Sequence, residues 1–97
     1  MFSPYYWRKE VVMAKVEIFT TTTCPFCHAA KQLLNEKNVS YDEFDVTGDA
    51  PLRQAMTQRA NGRTSVPQIF INDEHIGGCD DLMALDAQQK LSALLAS

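Results

Sequence analysis

The sequence predicts an α/β domain built on a mixed four-stranded sheet, in the order β-α-β-α-β-β-α, with helices on both faces. Three observations predict it. Two runs, Val16-Glu17-Ile18-Phe19 and Ile69-Phe70-Ile71, put apolar side chains on both faces, as central strands do. Helical patterns separate the strands, so the first two strands pair in parallel through a crossover helix. An Asn72-Asp73 turn then joins the last two strands as an antiparallel hairpin.

Residues 15–21 form the first strand. Pro25 suits the first turn of a helix, where its missing N–H costs nothing. Phe26, Ala30, Leu33 and Leu34 then fall at i, i+4, i+7 and i+8, one apolar stripe. Asn38 ends that helix, and residues 39–46 alternate loosely as the second strand. Ala50-Pro51 starts a helix that carries Leu52, Met56 and Ala60 inward until Asn61-Gly62 stops it. Residues 67–71 form the third strand, and a short fourth strand surrounds His75 and Ile76. Gly77-Gly78 breaks it. Two short final helices turn Leu82 and Leu85, then Leu91, Leu94 and Leu95, toward the sheet.

A chain of 97 residues has room for one core. With 45% hydrophobic and 22% charged residues, it has the composition of a folded domain rather than a disordered segment. A net charge of −3 offers no broad attraction for nucleic acid or anionic lipid, and no apolar run reaches membrane-spanning length. A monomer with no membrane and no nucleic-acid partner is expected. Residues 1–12 read differently from the rest. Phe2, Tyr5, Tyr6 and Trp7 cluster around Ser3-Pro4 without helix or strand periodicity. They are expected to be an N-terminal appendage or an upstream start-codon extension, with residues 13–97 as the domain.

Three cysteines are too few for a disulfide scaffold, and residues 1–12 lack the apolar core of a secretory signal. The expected compartment is cytoplasmic, where a C-x-x-C pair is more apt to react than to staple the fold. Cys24-Pro25-Phe26-Cys27 stands between the first strand and the first helix. Unpaired N–H groups at a helix start favour a thiolate on Cys24, and Cys27, one turn inside, is better shielded. Position alone makes Cys24 the nucleophile and Cys27 the resolving thiol of a redox disulfide. Two other readings of the string are open at this point. With His28 it spells the haem-attachment pattern C-x-x-C-H, which calls for an exported chain and an axial partner. A zinc site would have to draw on Cys79, His28 and His75.

Three strings taken together, Cys24-Pro25-Phe26-Cys27, Thr64-Ser65-Val66-Pro67 and Gly77-Gly78-Cys79-Asp80-Asp81-Leu82, resemble a glutaredoxin of the dithiol type. Glutaredoxins are the glutathione-linked branch of the thioredoxin fold, and the resemblance runs from Ala14 to the C-terminus. It implies an enzyme, a glutathione-disulfide oxidoreductase that reduces glutathionylated mixed disulfides and protein disulfides through Cys24. Glutathione would be the co-substrate, with no metal expected, and the partners would be glutathionylated or disulfide-bonded client proteins. The role would lie in electron transport and cell redox homeostasis. Alternative activities are an iron–sulfur carrier with glutathione as co-ligand and a thioredoxin-like electron donor.

The resemblance also implies a glutathione site. Pro67 would be a cis proline facing Cys24, leaving Val66, beside Ser65, to pair with glutathione's cysteine unit in strand-like fashion. Gly78 would let backbone approach the ligand, and the helix start at Cys79 and Asp80 would take the γ-glutamyl carboxylate. The carboxylates of Asp80 and Asp81 suit the ammonium group. Arg53, from a basic set with Arg59 and Arg63, would meet the glycine carboxylate, and the Phe26 ring would pack beside the ligand. Two departures stand out. Thr21 occupies a place where Lys or Arg is common, so Cys24 would depend on helix N–H groups, and Phe26 replaces a common Tyr.

Overall fold

The structure is a computed structural model that describes residues 14–96, so the segment 1–12 lies outside the described residues. The elements are β1 (Val16–Thr20), α1 (Pro25–Glu36), β2 (Asp42–Asp45), α2 (Ala50–Arg59), β3 (Gln68–Ile71), β4 (Glu74–Gly77), α3 (Cys79–Ala87) and α4 (Leu91–Leu95). The strands lie in the order β2-β1-β3-β4. β1 pairs in parallel with β2 and antiparallel with β3, and β3 and β4 form the hairpin. Both the predicted order and the mixed sheet are present.

All five residues of β1 are buried, which is why its apolar side chains serve both faces. Val16 and Ile18 join Ile69 and Ile71 under Ala30 and Leu34 of α1, Leu82 of α3 and Leu91 of α4. On the other face Phe19, Val46 and Phe70 meet Met56 of α2 and the adjoining Ala60. Phe19 stacks on Phe44 at 5.0 Å and meets Phe70 edge-on at 5.7 Å, favourable aromatic geometries that add to simple burial.

One charge is embedded in this central strand. Glu17 is only 8% exposed. Arg59 answers it from the end of α2 with two contacts, Nη2 to Oε1 at 2.9 Å and Nη1 to Oε2 at 3.4 Å. The same guanidinium lies 4.1 Å from the Phe70 ring centroid, so the cation is held by an aromatic face as well as by the carboxylate. Arg59 is thus a structural partner rather than part of a free basic face.

The second strand is shorter than residues 39–46. Asn38 takes a left-handed conformation, φ 59°, and its N–H bonds the Asn35 carbonyl. The chain then turns Val39 and Tyr41 onto the core beneath α1, and parallel pairing begins at Glu17 and Asp42. Among the described residues no helix is long and apolar enough to cross a membrane.

The topology gathers one end of the sheet. The end of β1 leads to the cysteine turn, the start of β3 pairs beside it through Phe19 and Gln68, and Gly77 at the end of β4 pairs with Ile69. Cysteine turn, proline segment and α3 start therefore converge.

Candidate active site

Cys24 is the N-cap of α1, with extended backbone at φ −140° and ψ 99°. Pro25 fills the first helical position, and the Cys27 N–H donates to Cys24 Sγ at 3.1 Å. One of the unpaired donors of the helix start is therefore aimed at the sulfur. The two cysteines form a disulfide with their Cα atoms 5.2 Å apart, an ordinary separation for such a bond. Their burial differs. Cys24 is 8% exposed and Cys27 1% exposed, so Cys24 is the more accessible of the two.

The threonine run before Cys24 has its own task. Thr22 N–H donates to Thr47 Oγ1 at 2.9 Å, and Thr22 Oγ1 lies 3.4 Å from Asp45 Oδ2. Thr47 N–H donates to Asp45 Oδ1 at 2.8 Å. The approach to the cysteine turn is thus tied to the end of β2 by hydroxyl, amide and carboxylate groups. These contacts hold the Asp45 carboxyl below its usual range, the Thr47 hydrogen bonds being the main cause.

The Val66–Pro67 peptide bond is cis, and the Val66 carbonyl oxygen lies 3.9 Å from Cys24 Sγ. Beside them opens a cleft of about 150 Å³. Phe26, Ser65, Val66 and Pro67 line it together with Gly78, Cys79, Asp80 and Asp81. Phe26 is 63% exposed at the rim.

Arg53, expected among these residues, is not in the lining. Its Nε and Nη2 donate to the Thr64 carbonyl at 3.2 and 3.0 Å, securing the proline segment from outside. Arg63 lines the cleft instead. It belongs to the same basic set in sequence, and its nearness to Pro67 was the one available signal. Arg63 Nη1 lies 3.1 Å from Asp81 Oδ2, and that oxygen also accepts the Gly78 N–H at 2.9 Å. The Gly78 hydrogen bond, then Arg63, holds the Asp81 carboxyl below its usual range.

Two glycines make this corner possible. Gly77 has φ +119°, and a Cβ there would run into the Asp81 carboxylate and come within 2.9 Å of Arg63 Nη1. A Cβ on Gly78 would lie 3.4 Å from the Pro67 carbonyl oxygen, so α3 starts almost against the proline segment. Cys79, next along, is 5% exposed and belongs to the core beneath the sheet. Burial, and secondarily Asp80, pushes its thiol up from the usual range. His28 is exposed on α1, and His75 sits on β4. Among the described residues no group of three or more His, Cys, Asp and Glu side chains is placed to hold a metal ion.

A dithiol at a strand-to-helix turn, facing a cis-proline segment across this sheet order, defines a thiol–disulfide oxidoreductase of the thioredoxin fold. The glutaredoxin family profile matches residues 16–76, and the chain belongs to the glutaredoxin family. It is 58% identical to glutaredoxin 3 of Escherichia coli K12, over 86% of this chain and 99% of that protein. The solution structure of a Brucella melitensis glutaredoxin superposes with a TM-score of 0.78 at 45% identity, covering 88% of this chain and 91% of that one. A crystal structure of a buckwheat glutaredoxin–glutathione complex gives 0.77 at 26% identity, covering 93% and 84%.

Proposed function

We propose that the chain is a glutathione-dependent dithiol oxidoreductase in which Cys24 is the nucleophile and Cys27 the resolving thiol. The observation that carries this reading is the position of Cys24 Sγ, 3.1 Å from a helix N–H and 3.9 Å from the carbonyl of Val66, a residue that lines the cleft. Val66 lies beyond the last paired position of β3, so its backbone is outside the sheet and available to glutathione's cysteine unit. The start of α3, with Asp80 and Asp81, takes the γ-glutamyl head, and Arg63 adds a cation for its carboxylate. Arg53, fixed against the Thr64 carbonyl outside the lining, is a second cation beside this segment, for the glycine carboxylate. The buckwheat glutaredoxin–glutathione complex supports the same choice of ligand.

The Cys24 thiolate attacks the glutathione sulfur of a mixed disulfide. The new bond joins Cys24 to glutathione, and the client leaves as a thiolate that takes a proton. A second glutathione thiolate then attacks the glutathione sulfur of that intermediate, forming glutathione disulfide and restoring Cys24. With a protein disulfide, Cys24 first bonds one client sulfur and Cys27 then displaces it, closing the Cys24–Cys27 disulfide. Two glutathione molecules reopen the pair. The proposed setting is the cytoplasm, where glutathione keeps thiols reduced, and the clients are glutathionylated or disulfide-bonded proteins.

Turnover of a glutathionylated peptide tests the assignment. Cys24→Ser is expected to abolish it and Cys27→Ser to retain much of it, because the first route needs one thiol. Equal loss in both variants would overturn the division of labour.

A further inference from the structure

One buried polar side chain has no part in the chemistry above. Gln68 opens β3 immediately after Pro67 and is 0% exposed. Its Nε2 donates back across the proline to the Ser65 carbonyl at 3.0 Å and lies 3.4 Å from Ser65 Oγ. Its Oε1 meets His75 Nε2 at 2.7 Å. His75 rests against Phe70, with ring centroids 5.2 Å apart, and its Nδ1 lies 3.2 Å from Asn61 Nδ2.

These contacts run in one direction. An amide nitrogen only donates, so His75 Nδ1 accepts from Asn61 and Nε2 carries the proton given to Gln68 Oε1. The Gln68 amide, its oxygen thus occupied, must turn its N–H groups toward Ser65. We infer that His75 and Gln68 are positioning residues for the glutathione edge: the relay Asn61–His75–Gln68–Ser65 holds Ser65 and Val66 at the register in which the substrate pairs. The inference rests on the reading of this cleft as a glutathione site.

The need for such a device follows from the surroundings. Residues 61–65 are exposed in an unbroken run, and sheet pairing begins only at Gln68. A buried amide left half-satisfied costs more than the bond itself contributes, so the relay holds as a unit. The charged groups around the imidazole are Arg63 and Asp81. Burial first, then Arg63, lowers the imidazole pKa against the opposing pull of Asp81, which favours the neutral ring whose Nδ1 accepts.

Long-range ¹H–¹⁵N spectra of the wild-type protein at neutral pH test the direction, with a proton expected on Nε2. A proton on Nδ1 alone overturns the relay. His75→Phe keeps a ring against Phe70 and deletes the donor. Its KM for a glutathionylated peptide is expected to rise about three- to tenfold, the worth of one such hydrogen bond, while kcat moves less than about twofold. His75→Gln, which returns an N–H near the Nε2 position, is expected to restore KM. An unchanged KM in His75→Phe overturns the inference.

Asn61→Gly probes the solvent end at a site whose φ of 57° suits glycine, and so does not depend on His75→Phe folding. A raised KM supports the relay, and an unchanged one overturns it. Equal turnover of glutathionylated and cysteinylated peptides by the wild type removes the glutathione reading itself. Preference for the glutathionylated peptide with no change in either variant removes only the relay.

Discussion

Arg63 and Asp81 close one wall of the cleft through a single oxygen: Asp81 Oδ2 lies 3.1 Å from Arg63 Nη1 and accepts the Gly78 N–H at 2.9 Å. The carboxylate therefore braces the start of α3 and fixes the cation of the cleft together. Arg53 is not braced in this way: it donates to the Thr64 carbonyl and lies outside the lining.

The two arginines should consequently differ. Arg63→Gln is expected to raise KM for a glutathionylated peptide about three- to twentyfold, a charge-assisted contact reduced by the side chain's half exposure. Arg53→Gln should produce a smaller rise. Steady-state kinetics of both variants against one substrate decide the order, and a larger effect at Arg53 would reverse the assignment.

Asp81 also predicts an acid sensitivity. The Gly78 N–H and Arg63 lower its folded-state pKa, so the unfolded chain takes up the proton first as pH falls. The stabilisation is complete above about pH 5 and is lost as pH drops through the lowered folded value. Urea midpoints measured as a function of pH should fall less steeply below about pH 4 in Asp81→Asn than in the wild type. Parallel curves would exclude Asp81 as the acid-labile cap.

Gly77 and Gly48 form a matched pair. Both have positive φ, +119° and +67°, but only at Gly77 would a Cβ collide, since nothing lies within 4 Å at Gly48. Gly77→Ala should cost about 1–3 kcal/mol and lower the melting temperature by roughly 5–15 °C, with Gly48→Ala clearly milder. Thermal denaturation followed by circular dichroism ranks them. Equal losses would mean that backbone conformation alone sets the cost.

In the reduced protein the thiols should separate by reactivity. Iodoacetamide at neutral pH is expected to modify Cys24 well before Cys79, whose thiol is buried and raised in pKa. Peptide mapping by mass spectrometry reads the order directly. Early labelling of Cys79 would show that the core beneath α3 opens more readily than its burial implies.

The Glu17–Arg59 pair predicts a stability change with no active-site origin. Arg59→Met leaves a carboxylate that is 8% exposed without its partner and should cost roughly 1–3 kcal/mol. Adding Glu17→Gln should recover part of that loss. A double-mutant cycle in urea measures the coupling, and additive losses would mean that the two side chains act independently.

Much of this architecture was legible along the chain. Pro25 at the first position of α1, the apolar runs of β1 and β3, and Asn61-Gly62 after α2 are local signals that neighbouring residues alone supply. The dithiol turn was legible for the same reason, because strand, two cysteines and helix are contiguous. The bounds of β2 were less so. Val39 and Tyr41 have strand-like alternation, but packing under α1 draws them out of the sheet.

By itself the sequence determined the order of elements, the dithiol at the head of α1 and the proline and glycine strings that accompany it. These follow from periodicity, turn chemistry and helix-start geometry, which act over a few residues. Only the tertiary structure decided that Arg63 rather than Arg53 lines the cleft, that Arg59 belongs to Glu17, and that His75 reaches Gln68. Each of those pairings depends on how β3 and the segment before it lie against other elements. Charge and hydrogen-bonding capacity are written in every one of these residues, but their partners are chosen by the packing that brings distant segments together.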